Sequence, residues 1–379
     1  LDGLEDGEKS FLLAALDPDP AKRFSGTCQS WVQQLVAARR QALSSASKAA
    51  GSFAAREPET QQRQEMREII VGREGITSLE EAIARCAEGA RIRLPTGTYR
   101  LKKPLEITKT VELIGEGMDA TRVVCDGEGY VVKVTAPWLV ARAISFEHLG
   151  SNWADVVLVD STSVSIEGCR FRGGVWDEQN NRGGDGLWIR GAATGVIKNC
   201  RATQNGLHGI DLGGFVDILL EDNTCEGNQR CGIAYFYSAR GTVRNNVCRN
   251  NGYHGIGVKG RAAPTLEGNT CEGNKLRGIA YFENAGGTAR NNVCRNNGSQ
   301  GIGMQGKAAP ALEGNTCEGN MVCGIAYFEN ARGTARNNVC RNNGYHGMDV
   351  HGQAAPTLEG NTCEGNKLRG IAYFENAGG

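Results

Sequence analysis

The sequence has no excess of charge of either sign: of its 379 residues, 42 are Lys or Arg and 42 are Asp or Glu. This balance argues against nucleic acid or an anionic membrane as the main partner. No apolar run is long enough to cross a bilayer, and no signal peptide is visible. Long segments with helical periodicity are also lacking beyond the first part of the chain, which disfavours leucine-rich and helical-repeat solenoids.

Cysteine is frequent, with 14 residues, but it does not occur in paired motifs. Single cysteines recur every 23 residues at Cys225, Cys248, Cys271, Cys294, Cys317, Cys340 and Cys363. Such a column matches neither a disulfide framework nor a metal site, which needs ligands that converge. We therefore predict reduced, buried thiols, a cytoplasmic protein, and neither a metal nor a cofactor.

The same 23-residue period appears in Gly-Ile pairs that begin at Gly209, Gly232, Gly255, Gly278, Gly301 and Gly324. Alternate repeats are more alike than neighbouring ones, so that the full unit is a 46-residue pair. A fixed period of this length is typical of solenoids. Short alternating stretches bounded by Asn-Gly and Gly-Asn turns leave room for three strands per repeat. The sequence therefore predicts an all-β fold, a right-handed parallel β-helix with 23 residues per coil.

In such a helix, residues one coil apart stack at the strand spacing of about 4.8 Å. The Cys and Ile columns are predicted to face inward, as is the column of Tyr235, Tyr281, Tyr327 and Tyr373. Asparagines at the same period are predicted to bond from coil to coil at a turn. They are Asn228, Asn251, Asn274, Asn297, Asn320, Asn343 and Asn366.

We divide the chain into a small helical segment at 1–40, a linker at 41–70 and the β-helix at 71–379. Within the β-helix, Ser78 and Glu81 form a capping box for a short amphipathic helix that ends at Gly89 and covers the first coil. The chain begins without Met and ends inside a repeat. We therefore expect a fragment of a longer protein.

The first forty residues contain Leu13-Ala14-Ala15-Leu16-Asp17-Pro18, followed by Arg23-Phe24 and an amphipathic stretch through Trp31. This pattern resembles the last two helices of bacterial serine/threonine protein kinases. The resemblance implies that Arg23 pairs with a glutamate of the activation segment in a complete kinase. No Gly-rich loop, His-Arg-Asp loop or Asp-Phe-Gly motif follows, and a generic helical hairpin is the alternative.

A second resemblance covers about three quarters of the chain. It is carried by Ala309-Pro310, Leu312-Glu313-Gly314-Asn315, Gly324-Ile325, Glu329-Asn330 and Gly333-Thr334. These residues resemble the pectin-lyase-like β-helix repeat once named for carbohydrate binding and sugar hydrolysis. The variant in F-box-only and SHC-binding β-helix proteins is the most similar, and this resemblance implies a protein partner.

Two groups of residues are candidates for acid–base chemistry. Asp185, His208 and Asp211 lie in adjacent coils beside Trp188, which suits a glycosidase, lyase or epimerase. The second group is His346, Asp349 and His351. The polygalacturonase-like pattern also needs paired aspartates in neighbouring coils, and a pectate-lyase mechanism needs a carboxylate cluster for calcium. The sequence shows neither.

The differences between repeats concentrate around the Gly-Ile strand, as expected for a solenoid that varies a binding strip. The predicted exposed column is Phe236, Lys259, Phe282, Gln305, Phe328, His351 and Phe374, with Tyr253, Tyr345 and Asp349 beside it. Lys259 is placed for cation–π contact. We predict a non-catalytic binding region of a bacterial kinase-like protein, with a protein or peptide as partner. The alternative is a polysaccharide-active lyase, hydrolase or epimerase, or a glycan-binding module.

Overall fold

A computed structural model describes residues 66–379, which form the predicted right-handed parallel β-helix. Each coil gives one strand to each of three parallel sheets, which contain 13, 12 and 12 strands within the described part of the chain. The kinase-like segment at 1–40 lies outside the described residues. The first strand, Met66–Ile70, lies in the stretch predicted as a linker and pairs with Cys86–Arg93. None of the described helices is long and apolar enough to cross a membrane.

We label the three sheets I, II and III. The strands of sheet I are Met66–Ile70, Cys86–Arg93, Val111–Ile114, Trp138–Arg142, Ser163–Glu167, Thr194–Lys198, Asp217–Glu221, Arg240–Arg244, Thr265–Glu267, Thr288–Arg290, Ala311–Glu313, Thr334–Arg336 and Thr357–Glu359. Those of sheet II are Leu105–Ile107, Gly129–Val134, Ala154–Asp160, Leu187–Arg190, Ile210–Gly214, Ile233–Tyr237, Ile256–Val258, Ile279–Tyr281, Ile302–Met304, Ile325–Tyr327, Met348–Val350 and Ile371–Tyr373. Those of sheet III are Gly97–Arg100, Thr121–Cys125, Ser145–His148, Arg170–Arg172, Arg201–Thr203, Thr224–Glu226, Val247–Arg249, Thr270–Glu272, Val293–Arg295, Thr316–Glu318, Val339–Arg341 and Thr362–Glu364.

The 23-residue register is confirmed by the strand pairing. Cys248 is the partner of Cys225 and of Cys271 in sheet III, and Ile256 is the partner of Ile233 and of Ile279 in sheet II. Both columns are fully buried as far as Cys340 and Ile325, as predicted. The glycine before each Ile lies against the next coil. A Cβ on Gly278, for example, would lie 2.7 Å from the Gly301 carbonyl oxygen, so this column excludes larger residues.

The predicted asparagine ladder is present. Asn274 Nδ2 donates to Asn297 Oδ1 in the next coil at 3.0 Å and to the Cys248 carbonyl at 2.9 Å. A second ladder, which the sequence analysis did not separate from the first, directly precedes the strands of sheet III, whereas the first ladder follows them. Its members are Asn223, Asn246, Asn269, Asn292, Asn315, Asn338 and Asn361. The two ladders satisfy buried backbone groups at both turns that flank sheet III.

The predicted capping helix, α1 (Leu79–Arg85), is shorter than expected. Ser78 is its N-cap, and the Ser78 hydroxyl accepts the Glu81 N–H at 3.2 Å. Leu79, Ala82 and Ile83 are buried against the core. The helix ends at Arg85 rather than near Gly89 because Cys86 already begins a sheet I strand.

Two ladders of alternating charge explain why the repeat unit is a pair of coils. Glu and Arg alternate on the outer face of sheet I at Glu221, Arg244, Glu267, Arg290, Glu313, Arg336 and Glu359. They also alternate on sheet III at Glu226, Arg249, Glu272, Arg295, Glu318, Arg341 and Glu364. Arg341 and Glu318, for example, are 2.9 Å apart. Because like charges on neighbouring strands repel, each column needs a period of two coils.

Candidate active site

The outer face of sheet II brings the first predicted acid–base group together. The backbone register places Trp188 beside Asp211, and the residues before the two strands, Asp185 and His208, are also one coil apart. The ligand atoms of Asp185, His208 and Asp211 all lie within 4.8 Å of one another. All three side chains are buried. The convergence predicted from the sequence columns is therefore present in the structure.

A third carboxyl, Asp155, belongs to the same group and was missed by the sequence analysis. It is buried, and its Oδ1 accepts the Asp185 N–H at 2.9 Å. Residues 173–184 form an inserted loop, so that Val157 pairs with Leu187, thirty residues later, instead of after the usual 23. Counting back by 23 from Asp185 therefore missed the aspartate. The prediction that no carboxylate cluster is present is wrong for this reason.

Asp185, His208 and Cys231 occupy one column, two residues before the first strand residue of each coil in sheet II. The side chains of Asp185 and His208 accept hydrogen bonds from the backbone of the following coil. Asp185 Oδ1 accepts the His208 N–H at 2.9 Å, and His208 Nδ1 accepts the Cys231 N–H at 3.1 Å. Because Nδ1 accepts a hydrogen bond, the proton of the neutral ring is on Nε2. His208 can therefore donate a hydrogen bond but does not offer a free basic nitrogen.

The electrostatics of the cluster favour protonated carboxyls. Burial, followed by repulsion from Asp211 and Asp155, holds the pKa of Asp185 well above its ordinary value. Burial and the Asp155 charge raise the pKa of Asp211 to about 8. A hydrogen bond between the Asp185 and Asp211 carboxyls also contributes to the raised pKa of Asp185. Burial and nearby Arg230 lower the pKa of His208 to about 3. At neutral pH the cluster therefore holds at least one proton on carboxyl oxygen, and the imidazole is neutral.

Only the carboxylates of this group are suited to bind a cation. Asp185 and Asp211 offer oxygen ligands of the kind that Ca²⁺ and Mg²⁺ prefer. A metal-bound histidine normally donates its second ring N–H to an acceptor. In His208 the second nitrogen, Nδ1, instead accepts the Cys231 N–H. The imidazole therefore does not fit a metal-ligand role in the observed arrangement.

The carboxyls lie in a cleft of about 830 Å³ whose lining is rich in aromatic side chains. The inserted loop forms one wall and is closed by Asp177, whose Oδ2 accepts from Arg182 Nε at 2.9 Å. The Arg230 guanidinium lies 4.8 Å from the centre of the Trp176 ring and 5.5 Å from that of Tyr253. Three buried polar atoms of the lining have no hydrogen-bond partner, namely Asp211 Oδ1, Trp176 Nε1 and His254 Nε2. They are available to a ligand.

The predicted strip follows the expected register along sheet II, but its phenylalanines are not exposed. Phe236, Phe282, Phe328 and Phe374 are half-buried. The Phe236 ring packs against the His208 ring with ring centres 5.7 Å apart, and the Phe282 ring packs against the His254 ring at 5.5 Å. Lys259 Nζ lies 3.3 Å from Glu283 Oε1, in an ion pair that the sequence analysis did not foresee. Phe236, Lys259, Phe282 and Tyr253 line the cleft.

The second predicted group also comes together, near the last described coils. His351 Nε2 lies 3.2 Å from Asp349 Oδ1. His346 Nδ1 accepts the Arg369 N–H at 3.3 Å, as His208 does from Cys231. Gln305, the remaining strip residue, donates from Nε2 to Glu329 Oε1 at 2.8 Å.

Comparison with solved structures finds the same fold in proteins of low sequence identity. The A-module of the Azotobacter vinelandii mannuronan C-5 epimerase AlgE4 is 18% identical, with a TM-score of 0.62 over 77% of this chain and 91% of that one. The catalytic domain of a GH87 α-1,3-glucanase in complex with nigerose is 10% identical, with a TM-score of 0.54 over 86% and 71%. The Dettilon tailspike protein gp208 is 15% identical, with a TM-score of 0.55 over 81% and 68%. No curated protein matches the sequence.

These findings correct the predicted function. The structural neighbours named above are two polysaccharide-active enzymes and a tailspike, and part of the predicted strip lines a cleft around buried carboxyls. The prediction of a non-catalytic, protein-binding region of a kinase-like protein is therefore wrong. The finer resemblances to F-box-only proteins, SHC-binding proteins and kinases find no support.

In a comparison with protein families, the sequence model of the family described as the right-handed beta helix region matches residues 154–304 and 280–379. These residues include both acid–base groups and every column described above. Because the match extends over more than half of the chain, the protein belongs to the right-handed β-helix family.

Proposed function

We propose that this protein is a polysaccharide-active enzyme that uses the Asp155–Asp185–Asp211 cluster as its acid–base group. The observation that carries the proposal is the position of Asp211. Its Oδ1 is buried and unpartnered, and the carboxyl lies in an aromatic-lined cleft within 4.8 Å of the Asp185 carboxyl. A buried polar atom without a partner is costly unless a ligand completes it.

The cleft has the features that sugar recognition requires. Aromatic rings such as Trp176 and Tyr253 give flat apolar faces, and Arg230 and the His254 Nε2–H offer hydrogen bonds to hydroxyl or carboxylate oxygens. The epimerase and the glucanase that share the fold are named for mannuronan and α-1,3-glucan, which are both polysaccharides, and this supports the substrate class.

The chemistry of the cluster favours proton donation to the substrate. A pair of carboxyls that share a proton behaves as one acid near neutral pH, as in other carboxyl dyads. In glycosidic-bond hydrolysis, such an acid protonates the leaving oxygen, and a second carboxylate acts as base or nucleophile. Asp185 and Asp211 are therefore assigned the proton. Asp155 holds the Asp185 backbone and is assigned the role of base, because its pKa of about 6 leaves it ionised at neutral pH. His208 donates from Nε2 to a substrate oxygen. Epimerisation or elimination at a uronate would use the same acid–base pair.

The test is an activity screen of the full chain on mannuronan, polygalacturonate and α-1,3-glucan. New reducing ends report hydrolysis, unsaturated ends report elimination, and deuterium uptake into the polymer reports epimerisation. We expect one of these activities, and a loss of about 10²–10⁴-fold in Asp211→Asn. Asp217→Asn, an exposed aspartate of the same coil, is the matched control. An activity that Asp211→Asn leaves unchanged would refute the assignment.

A further inference from the structure

The cluster around Asp211 has a partial copy six coils further along sheet II. Asp349 occupies the same column as Asp211, and His346 the same column as His208. The Asp185 position is occupied by Cys323. The position of Gly213 is occupied by His351. Six coils at the strand spacing place the two groups about 29 Å apart on one face.

Between the two groups, the column carries only small residues, all of them buried. They are Ala234, Gly257, Ala280, Gly303 and Ala326. Arg277 covers part of this column: a Cβ on Gly303 would lie 2.7 Å from Arg277 Nε. Its guanidinium lies 5.4 Å from the ring centre of Phe282 and 5.7 Å from that of Phe328. The second group is therefore separated from the first cleft but lies in line with it.

The second group has a buried carboxyl at its centre and aromatic side chains around it. Asp349 is buried, and its Oδ1 accepts no hydrogen bond although His351 Nε2 is 3.2 Å away. The His351 ring stacks on Phe374 at 4.5 Å between ring centres, and on Phe328 at 5.8 Å. Tyr345 is 52% exposed beside His346. The Cys323 thiol lies 3.7 Å from Asp349 Oδ2.

We propose that the group of Tyr345, His346, Asp349 and His351 is a second glycan-binding site, which holds a distant part of the polysaccharide that reacts at Asp211. The proposal rests on the proposed function for the identity of the ligand. The exposed ring of Tyr345 fits the face of a sugar, and Asp349 Oδ1 and the His346 Nε2–H fit its hydroxyls. The site binds without reacting, because Cys323 replaces the carboxyl that shares a proton with Asp211 in the first cluster.

A chain long enough to reach both groups gains effective concentration at the second after binding the first. A short oligosaccharide cannot bridge them. The second site should therefore strengthen the binding of polymers much more than that of short oligosaccharides.

The test uses the Asp211→Asn chain, which binds without turnover, with Tyr345→Ala or Asp349→Asn added. Affinity electrophoresis in gels that contain mannuronan, polygalacturonate or α-1,3-glucan measures the Kd for polymer, and titration with di- and trisaccharides of the same polymer measures that for short ligands. We expect either substitution to weaken polymer binding roughly tenfold and to change short-ligand binding less than threefold. Met321→Ala, which removes an apolar side chain that is 70% exposed outside the group, is the matched control. Thermal melting checks that each variant is folded.

Equal loss for polymers and short ligands, or no loss in either variant, would overturn the second site. Failure of the proposed function is distinguishable from this result. In that case the wild-type chain turns over none of the polymers, whereas the second site fails when a polymer binds to the parent chain and the Tyr345 and Asp349 variants give one of these two results.

Discussion

The Cys231 N–H donates to His208 Nδ1 across 3.1 Å, from one coil to the one before it. A single backbone hydrogen bond thus fixes the tautomer of the imidazole that faces the carboxyl cluster. The proton of the ring stays on Nε2, and protonation of Nδ1 would place two donors against each other. The role of proton exchange therefore falls to the carboxyls and not to the histidine. His254 and His346 make the same bond with Arg277 and Arg369, so this arrangement is a property of the column.

The activity should depend on pH through the carboxyls. Burial raises the pKa of Asp211 to about 8, whereas the pKa of His208 is lowered to about 3. If the shared proton is the catalytic acid, the rate on the polymer falls as the pH rises through about 8. Burial also raises the pKa of Asp155 to about 6, so that a step near pH 6 belongs to a carboxyl and not to His208. A rate profile between pH 4 and pH 10 measures this. A rate that does not fall between pH 7 and pH 9 would contradict the assignment of the proton to the carboxyls.

The cluster should also make stability depend on pH. Asp211 has an ordinary pKa of 3.8 and a folded pKa of about 8, so that the unfolded chain loses the proton first as the pH rises. The contribution of this raised pKa to stability is therefore complete below about pH 4 and is lost between there and pH 8. Asp211→Asn should be more stable than the wild type at pH 8, by about 1–3 kcal/mol, with a smaller advantage at pH 5.

Thermal melting at both pH values measures this difference. The exposed Asp217→Asn variant serves as control because it should show no such trend. An Asp211→Asn advantage that is the same at both pH values would show that the carboxyl is not destabilised in the folded state.

The asparagine ladders should carry a large share of local stability. Asn292 Nδ2 donates to the Leu266 carbonyl at 3.0 Å and to Asn315 Oδ1 at 2.9 Å, and its Oδ1 accepts the Asn269 N–H at 2.9 Å. Asn292→Ala leaves these buried groups without partners, and we expect a loss of about 2–4 kcal/mol. Chemical denaturation measures it. Asn284→Ala, at an exposed position in the same coil pair, should change stability by less than about 0.5 kcal/mol.

The buried, inward-facing tyrosines should make the fold less stable than phenylalanine would at the same positions. Tyr281 is fully buried, and its hydroxyl has no hydrogen-bond partner. Removal of an unsatisfied polar atom relieves a desolvation cost, so Tyr281→Phe should stabilise the fold by about 1 kcal/mol. Tyr237→Phe, at a side chain that is 74% exposed, should have no effect. A destabilised Tyr281→Phe protein would indicate a partner for the phenol, such as a buried water.

The periodicity of the sequence was sufficient to predict the coil, the inward columns and the convergence of Asp185, His208 and Asp211. These features follow from the register alone, because equal spacing along the chain becomes stacking in space. Asp155 could not be found in this way, since the loop at 173–184 breaks the count. The loop also adds Trp176 and Arg182 to the cleft, and no repeat pattern predicts residues that occur once.

Two errors in the interpretation of the surface have a common physical cause. The strand register predicts on which face of a sheet a side chain lies, but not which neighbouring side chains it contacts. Phe236 and Phe282 face outward as expected, yet they are half-buried because His208 and His254 lie beside them. The sequence variation along this face was interpreted as a protein-binding strip, although some of the same variable residues line a cleft.

The alternating Glu and Arg columns limit how this gene can change in length. Loss or gain of one 23-residue unit would set Glu against Glu, or Arg against Arg, at the junction on two sheets at once. A unit of 46 residues preserves both alternations. Recombination among the repeats should therefore yield folded proteins in steps of two coils, each about 9.6 Å longer or shorter, and the distance from the carboxyl cluster to the end of the solenoid would vary in the same steps.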